Sequence, residues 1–225
     1  MINNYLERQI KENFPYQPTS EQEIAIKSLS EFLLSSCNEA VFLLRGYAGT
    51  GKTSLVGALV RTLDQLQQKS ILLAPTGRAA KVFSAYAGHP AFTIHKKIYR
   101  QQSFSNETSN FSVNDNLTTH TLYIVDEASM ISNDGLAGSS FGTGRLLDDL
   151  VQFVYSGVGC RLLLMGDTAQ LPPVGEEQSP ALFADALKGY GLEVQEVDLT
   201  TGGPSGTAIG YSVERHPFEA AHSRR

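Results

Sequence analysis

The sequence predicts an α/β fold, a three-layer P-loop domain with a mostly parallel sheet. Three observations carry that expectation. Gly46-Tyr47-Ala48-Gly49-Thr50-Gly51-Lys52-Thr53 matches the phosphate-loop pattern G-x-x-x-x-G-K-[ST] in full. The loop lies between an apolar run, Ala40-Val41-Phe42-Leu43-Leu44, and Ser54-Leu55-Val56-Gly57-Ala58-Leu59-Val60, whose apolar positions have helical spacing. Short apolar runs ending in polar residues recur at 70–74, 121–125 and 160–165, as buried parallel strands do.

The loop's chemistry is anion capture by backbone. Its glycines let the main chain curl so that successive N–H groups face one concavity, and the helix beginning near Lys52 adds its positive end. A triphosphate such as ATP fits there, cradled by Gly46, Tyr47, Ala48, Gly49, Thr50, Gly51, Lys52, Thr53 and Ser54. Lys52 reaches the β- and γ-phosphates, and the Thr53 hydroxyl ligates Mg²⁺.

Bulk properties narrow the rest. The 225 residues, 41% of them apolar, suffice for a sizeable core. No apolar run approaches the roughly 20 residues of a membrane span, and the polar start Met1-Ile2-Asn3-Asn4-Tyr5 is no signal peptide, so a cytoplasmic address without membrane partners is expected. Cys37 and Cys160 share no metal-ligand spacing and are expected reduced and buried. The five histidines are scattered, which disfavours a histidine metal site. A net charge of −5 argues against a basic coat for duplex DNA, yet a groove tracking a single strand needs only a local cluster of donors.

Taken in order, residues 1–18 predict a short amphipathic helix with Tyr5, Leu6 and Ile10 on one side, ending before Phe14-Pro15. A second helix opens at Thr19-Ser20-Glu21-Gln22-Glu23. Ser20 and Glu23 have capping-box spacing, and Ile24, Leu29, Phe32 and Leu33 form the expected buried face. By spacing, Gln22 is a polar group of the first turn. After the loop helix, Ser70-Ile71-Leu72-Leu73-Ala74 reads as a strand running into Pro75-Thr76-Gly77-Arg78-Ala79-Ala80-Lys81 and another helix. Thr76, Arg78 and Lys81 emerge at a strand's carboxyl end, where open α/β sheets bind ligands, or they are a capped helix start with solvated bases. From Thr93-Ile94-His95 the pattern loosens. Residues 101–119, rich in Ser, Asn and Thr, read as an inserted hairpin or mobile loop.

The next strand, Thr121-Leu122-Tyr123-Ile124-Val125, runs into Asp126-Glu127-Ala128-Ser129. An unpaired buried charge is costly, and beside a phosphate loop Asp126 has a task as a Mg²⁺ ligand. Glu127 is placed to orient or deprotonate an attacking water; an acidic helix cap would be the alternative for the pair. Residues 132–143 are expected mobile, and residues 145–155 a helix. The strand Cys160-Arg161-Leu162-Leu163-Leu164-Met165 leads into Gly166-Asp167-Thr168-Ala169-Gln170-Leu171-Pro172-Pro173-Val174-Gly175, where Gln170 could reach a γ-phosphate and the two prolines stiffen the turn.

Together these residues resemble the RecD-like branch of superfamily 1 DNA helicases, the 5′-to-3′ translocases, over about residues 18–200. Gln22 is similar to the family's adenine-reading glutamine, residues 46–53 to Walker A, and residues 125–130 to Walker B. Gly-Asp-x-x-Gln-Leu-Pro-Pro-Val-Gly is the most specific match. The resemblance implies a RecA-like motor domain in which Lys52, Glu127 and Gln170 serve hydrolysis. It implies single-stranded DNA contacts by Thr76, Gly77, Arg78, Thr93, His95 and Pro172. It also implies a second motor domain and, as partners, recombination or repair proteins.

The sequence departs from the family after Val197-Asp198-Leu199-Thr200. There the family continues Glu-Val-x-Arg-Gln, and this chain reads Thr201-Gly202-Gly203-Pro204-Ser205-Gly206. Gly-Gly-Pro-Ser-Gly can be encoded so that a one-base shift reads Glu-Val-Arg-Gln. Residues 201–225 are therefore expected to be an irregular, out-of-frame tail; codons unable to give that alternative would dismiss the idea. Two other functions fit parts of the pattern. A regulatory ATP-binding module would bind nucleotide without translocation, while a small-molecule kinase would leave residues 166–175 unexplained.

Overall fold

The protein is described here by a computed structural model in which residues 2–101, 111–135 and 141–201 are placed. Its sheet has six strands, all paired in parallel: β1 (Ala40–Gly46), β2 (Lys69–Ala74), β3 (Ala91–Thr93), β6 (Thr121–Val125), β7 (Arg161–Gly166) and β8 (Glu193–Leu199). The order across the sheet is β3-β2-β6-β7-β1-β8. Successive side chains of a strand point to opposite faces, and both faces of β1 are apolar. Ala40, Phe42 and Leu44 join one core, while Val41 and Leu43 join the other.

Helices cover both faces, giving the expected three layers. On the first lie α1 (Ile2–Glu12), α2 (Ser20–Leu34), α3 (Lys52–Gln65) and α4 (Gly77–Ala87), contributing Leu6 and Ile10, Ile26 and Phe32, Leu55 and Leu59, and Phe83. On the second lie α5 (Ile94–Ile98), α6 (Leu146–Ser156) and α7 (Ala184–Lys188), contributing Ile94, Ile98, Leu150, Val154 and Leu187. The strand order has one consequence for the site. Because β7 lies between β1 and β6, the loops leaving their carboxyl ends are neighbours, although more than a hundred residues separate β1 from β7.

Several expectations need correction. Tyr5 is exposed, with the Arg8 guanidinium over its ring, so α1 buries Leu6 and Ile10 without it. The capping box of α2 is shifted by one residue: Thr19 Oγ1 accepts from Gln22 N at 3.3 Å, and Gln22 Oε1 accepts from Thr19 N at 3.0 Å. Ser20 is thus the first helical residue, and Glu23 pairs with Lys11 of α1 instead. The buried face also differs: Ala25 and Ile26 point inward, Ile24 is exposed and Leu33 is only partly buried. Cys160 is buried, but Cys37, in the loop after α2, is partly exposed; both are free thiols.

The expected inserted hairpin begins as one: β4 (Tyr99–Gln101) pairs antiparallel with β5 (Phe111–Val113). Its connection, with Phe104, lies outside the described residues. The segment returning to β6 is tied to the sheet, since the buried Asn116 Oδ1 accepts from Tyr123 Oη at 2.9 Å and Thr118 Oγ1 at 2.7 Å. Residues 136–140 of the Gly/Ser-rich stretch and residues 202–225 of the tail also lie outside the described residues.

Candidate nucleotide and nucleic-acid site

The phosphate loop is built by β1 and α3. Gly51, at φ +88°, caps α3 in the left-handed region, and a side chain there would run into the Gln22 amide. Thr50 Oγ1 donates to Tyr47 O at 2.9 Å, closing the turn from within. Lys52 Nζ donates to Gly46 O at 2.6 Å and Tyr47 O at 2.9 Å, so its ammonium lies folded across the loop's own carbonyls. Burial holds Lys52 below the usual lysine range, opposed by Asp167, Asp126 and Glu127. The charges of three carboxylates thus favour the protonated ammonium, with burial outweighing them.

Gln22 combines the two readings made of it. It completes the capping box of α2, and its Nε2 donates to Thr50 O at 2.9 Å, bringing a buried side chain of the second helix onto the phosphate loop.

The carboxylates come from the end of β6. Asp126 N donates to Leu73 O at 3.0 Å, continuing the ladder with β2, and Asp126 Oδ1 accepts from Glu127 N at 2.8 Å. Burial pushes the Asp126 carboxyl up to about 6; the Glu127 N–H and Lys52 oppose that rise, and the Glu127 charge adds to it. A largely buried carboxyl that resists ionising is a place where a cation would be favoured. Among the described residues no group of three or more His, Cys, Asp or Glu side chains is set to hold a metal. A Mg²⁺ ion here would therefore rely on one carboxylate, a hydroxyl and phosphate oxygens, its usual pattern in nucleotide sites.

Glu127 has φ +52°, an uncommon conformation for a residue with a side chain, at the start of the 3-10 turn Ala128–Met130. Its Oε2 accepts from Gln170 Nε2 at 3.1 Å. Gln170 Oε1 accepts from Ser129 Oγ at 2.6 Å. The Gln170 amide is thereby clamped on both sides, its orientation assigned by these partners.

Thr76, Arg78, Asp126, Glu127 and Gln170 line one open cleft, together with Ala79, Val82 and Met130. Thr76 also caps α4, accepting from Ala79 N at 3.2 Å, so its helix-start reading holds alongside its place in the cleft. Arg78 is exposed. Pro172 lines an adjoining hollow with Arg45, Asp167, Thr168 and Gln170. Thr93 and His95 line neither. Thr93 caps α5, and His95 packs among Tyr99 and Phe141, where burial lowers its pKa.

Three contributors go beyond the residues the motifs assign. Ser129 holds Gln170, the Asp167 charge favours the Lys52 ammonium, and Glu176 ties the loop after β7 to the segment after Glu127. Ser129 and Asp167 sit inside the motifs at 125–130 and 166–175. Nothing local marked Glu176, whose partners are 42 to 44 residues away.

Residues 19–197 match the model of the AAA-domain family. The chain is 32% identical over 157 residues to the ATP-dependent RecD2 DNA helicase of Deinococcus radiodurans, which covers 67% of this chain and 19% of that protein. It is 28% identical over 158 residues to the ATP-dependent DNA helicase Pif1 of Bdellovibrio bacteriovorus, covering 70% of this chain and 34% of that one. Among solved structures it is similar to a Bacteroides Pif1 helicase in complex with ADP-AlF3 and single-stranded DNA. There the identity is 19%, the TM-score 0.45, and the coverage 84% of this chain and 43% of the other. The chain thus spans about a third or less of the length of these two curated relatives.

Proposed function

The chain belongs to the AAA-domain family of P-loop NTPases, and from that premise we propose that it is the ATP- and single-stranded-DNA-binding motor domain of a 5′-to-3′ DNA helicase. In this reading it hydrolyses ATP to drive translocation when paired with a second motor domain. One observation carries the proposal. The clamped Gln170 amide, the Walker carboxylates and the exposed Arg78 share a single cleft, an arrangement that supports phosphate chemistry and strand binding on one wall.

ATP would lie over the loop formed by residues 46–54, its base toward Gln22. Lys52 would exchange the carbonyls of Gly46 and Tyr47 for anionic phosphate oxygens, which are the stronger acceptors for an ammonium. Thr53 and Asp126 would hold Mg²⁺, which supplies positive charge to the β- and γ-phosphate oxygens. Glu127 would accept a proton from, or orient, the attacking water, and Gln170, which donates to the Glu127 carboxylate, would reach the γ-phosphate. On the DNA side Thr76, Gly77 and Arg78 would grip the strand, with Pro172 in the adjoining hollow across Gln170. Thr93 is one step along the same edge, because β3 pairs with β2 so that Thr93 lies opposite Ala74. His95 follows Thr93 on α5.

Of the arginines that complete such a site in the RecD-like family, one would belong to the Glu-Val-x-Arg-Gln motif that this chain lacks after Thr200, and a further one would come from the second motor domain. Without them turnover falls by roughly 10³-fold or more, so this chain alone binds nucleotide and turns it over weakly. The test is ATP binding and hydrolysis, with and without single-stranded DNA, by this chain and by Lys52→Ala. Expected are MgATP binding that Lys52→Ala abolishes and strand binding that Arg78→Ala weakens. Failure of the unaltered chain to bind nucleotide would refute the reading. Nucleotide binding without strand binding would favour a regulatory module.

A further inference from the structure

The segment carrying Gln170 leaves β7 as an arch. Its crest is apolar and open to solvent: Leu171 is 90% and Val174 100% exposed. An exposed loop with two prolines and no core contact at its crest needs fixed feet if Gln170 is to hold one orientation. The near foot is Gln170 itself. The far foot is Glu176, whose Oε1 accepts from Asn133 N at 2.6 Å, Asp134 N at 2.9 Å and Ser132 Oγ at 3.1 Å. Its Oε2 is buried with no partner, so the side chain is held from one oxygen only.

Both feet stand on the same stretch of chain. Gln170 bonds Glu127 and Ser129, and Glu176 bonds 132–134, so the arch and the segment following Asp126 are tied at two places about six residues apart on each. Hydrogen bonds donated to a carboxylate are among the stronger ones available, and three converge here. Two ties resist rotation where one would act as a pivot.

We propose that Glu176 is a positioning residue: it anchors the far foot of the arch, so that displacement of the Leu171–Val174 crest is transmitted to Gln170 and is not absorbed by the loop. The proposal rests on the reading of Glu127 and Gln170 as hydrolytic machinery, but its geometric half is testable without nucleotide.

The test is the side-chain amide of Gln170 in the full chain, followed by ¹H–¹⁵N NMR in the unaltered protein, Glu176→Ala and Glu176→Gln. Gln170 is exposed, so in the unaltered protein it is the two hydrogen bonds of its amide that are expected to shift the NH₂ pair from unbonded glutamines and slow its exchange. In Glu176→Ala it collapses to unbonded values and exchanges about tenfold faster, as a locally opened segment does, while the backbone amides of Gly51 and Lys52 keep their positions. Glu176→Gln, which retains the shape and a carbonyl acceptor, gives an intermediate result and decides the matter if the alanine variant melts without cooperativity. A Gln170 amide indifferent to both substitutions would overturn the proposal. Adding MgATP to the unaltered protein separates the two readings. No response at Lys52 would count against nucleotide binding, and the positioning role would still be decided by the nucleotide-free spectra.

Discussion

At the scale of single residues, the site stores its cost in Asp126. Its carboxyl titrates at about 6, because burial disfavours the charge more than Lys52 and the Glu127 N–H restore it. A carboxyl raised in the folded state binds its proton there while the unfolded chain has already released it. Between the ordinary aspartate range near 4 and about pH 6, stability therefore falls as pH rises, and the loss is complete at neutrality. A carboxyl that titrates this far above its ordinary range costs the folded state roughly 3 kcal/mol at neutral pH. Asp126→Asn should accordingly raise the melting temperature of the nucleotide-free protein at pH 7.5 and leave it nearly unchanged at pH 4, while removing Mg²⁺-dependent nucleotide affinity. Equal melting temperatures at pH 7.5 would show that the carboxyl is not strained. Asp126 was legible in the sequence because a charge directly after a buried strand demands a partner. Ser129 was less so, since a serine one turn later has many uses, and only the folded chain shows its hydroxyl against Gln170.

At the scale of elements, the first turn of α2 carries more than its cap. Thr19 and Gln22 close the box, Gln22 reaches the phosphate loop, and Glu21 accepts from Thr200 Oγ1 at 2.6 Å, Thr200 N at 2.7 Å and Thr201 N at 2.9 Å where the chain leaves β8. The Thr200 hydroxyl and the two backbone N–H groups hold the Glu21 carboxyl at about 2, well below the usual range. A lowered carboxyl adds stability that is present above its ordinary pKa and is lost as pH falls toward the folded value. The window is thus about pH 4.5 down to about 2. Glu21→Gln should melt below the unaltered protein at pH 6, and the two curves should converge as pH approaches 2; an offset that ignores pH would remove the charged clamp from the account. None of this could be read from spacing, because the partners of Glu21 lie 179 and 180 residues away. The one-residue slip in the capping box was equally hidden. Thr19 and Ser20 are both residues that cap helices, Ser being the slightly better by type, and only the folded chain shows Thr19 taking the role with Gln22 as its partner.

At the scale of the whole molecule, β1, β2, β6 and β7 and their polar exits were legible locally, since an apolar run followed by a polar turn is a property of a few residues, whereas the three-residue β3 and the half-polar edge strand β8 carry no such mark. The order of the strands across the sheet was not legible either, because pairing between distant strands leaves no local mark. That order places β8 at the edge beside β1, and the packing there is close. Gly46 leaves no room for a side chain against Leu199 O, and the partly buried Arg45 of β1 makes a two-bond contact to Asp198 at 2.7 and 3.0 Å and a further ion pair to Glu196. The phosphate-loop strand thus depends on β8 for backbone partners, for the buried Leu199 and for compensation of its arginine. Ending the chain after Leu192 should abolish cooperative melting, as Arg45 would keep only Leu182 O among these acceptors, and an under-compensated, partly buried charge is strongly destabilising. Ending it after Thr201 keeps every one of these contacts, including the Glu21 clamp. If residues 201–225 are an out-of-frame reading, that shorter chain, which keeps only Thr201 of them, should match the full one in MgATP affinity and melt within about 3 °C of it, a difference worth roughly 1 kcal/mol in a domain of this size. A larger fall would mean that those residues contribute to the folded state, and the frameshift would then have to be given up as an account of where the family pattern stops.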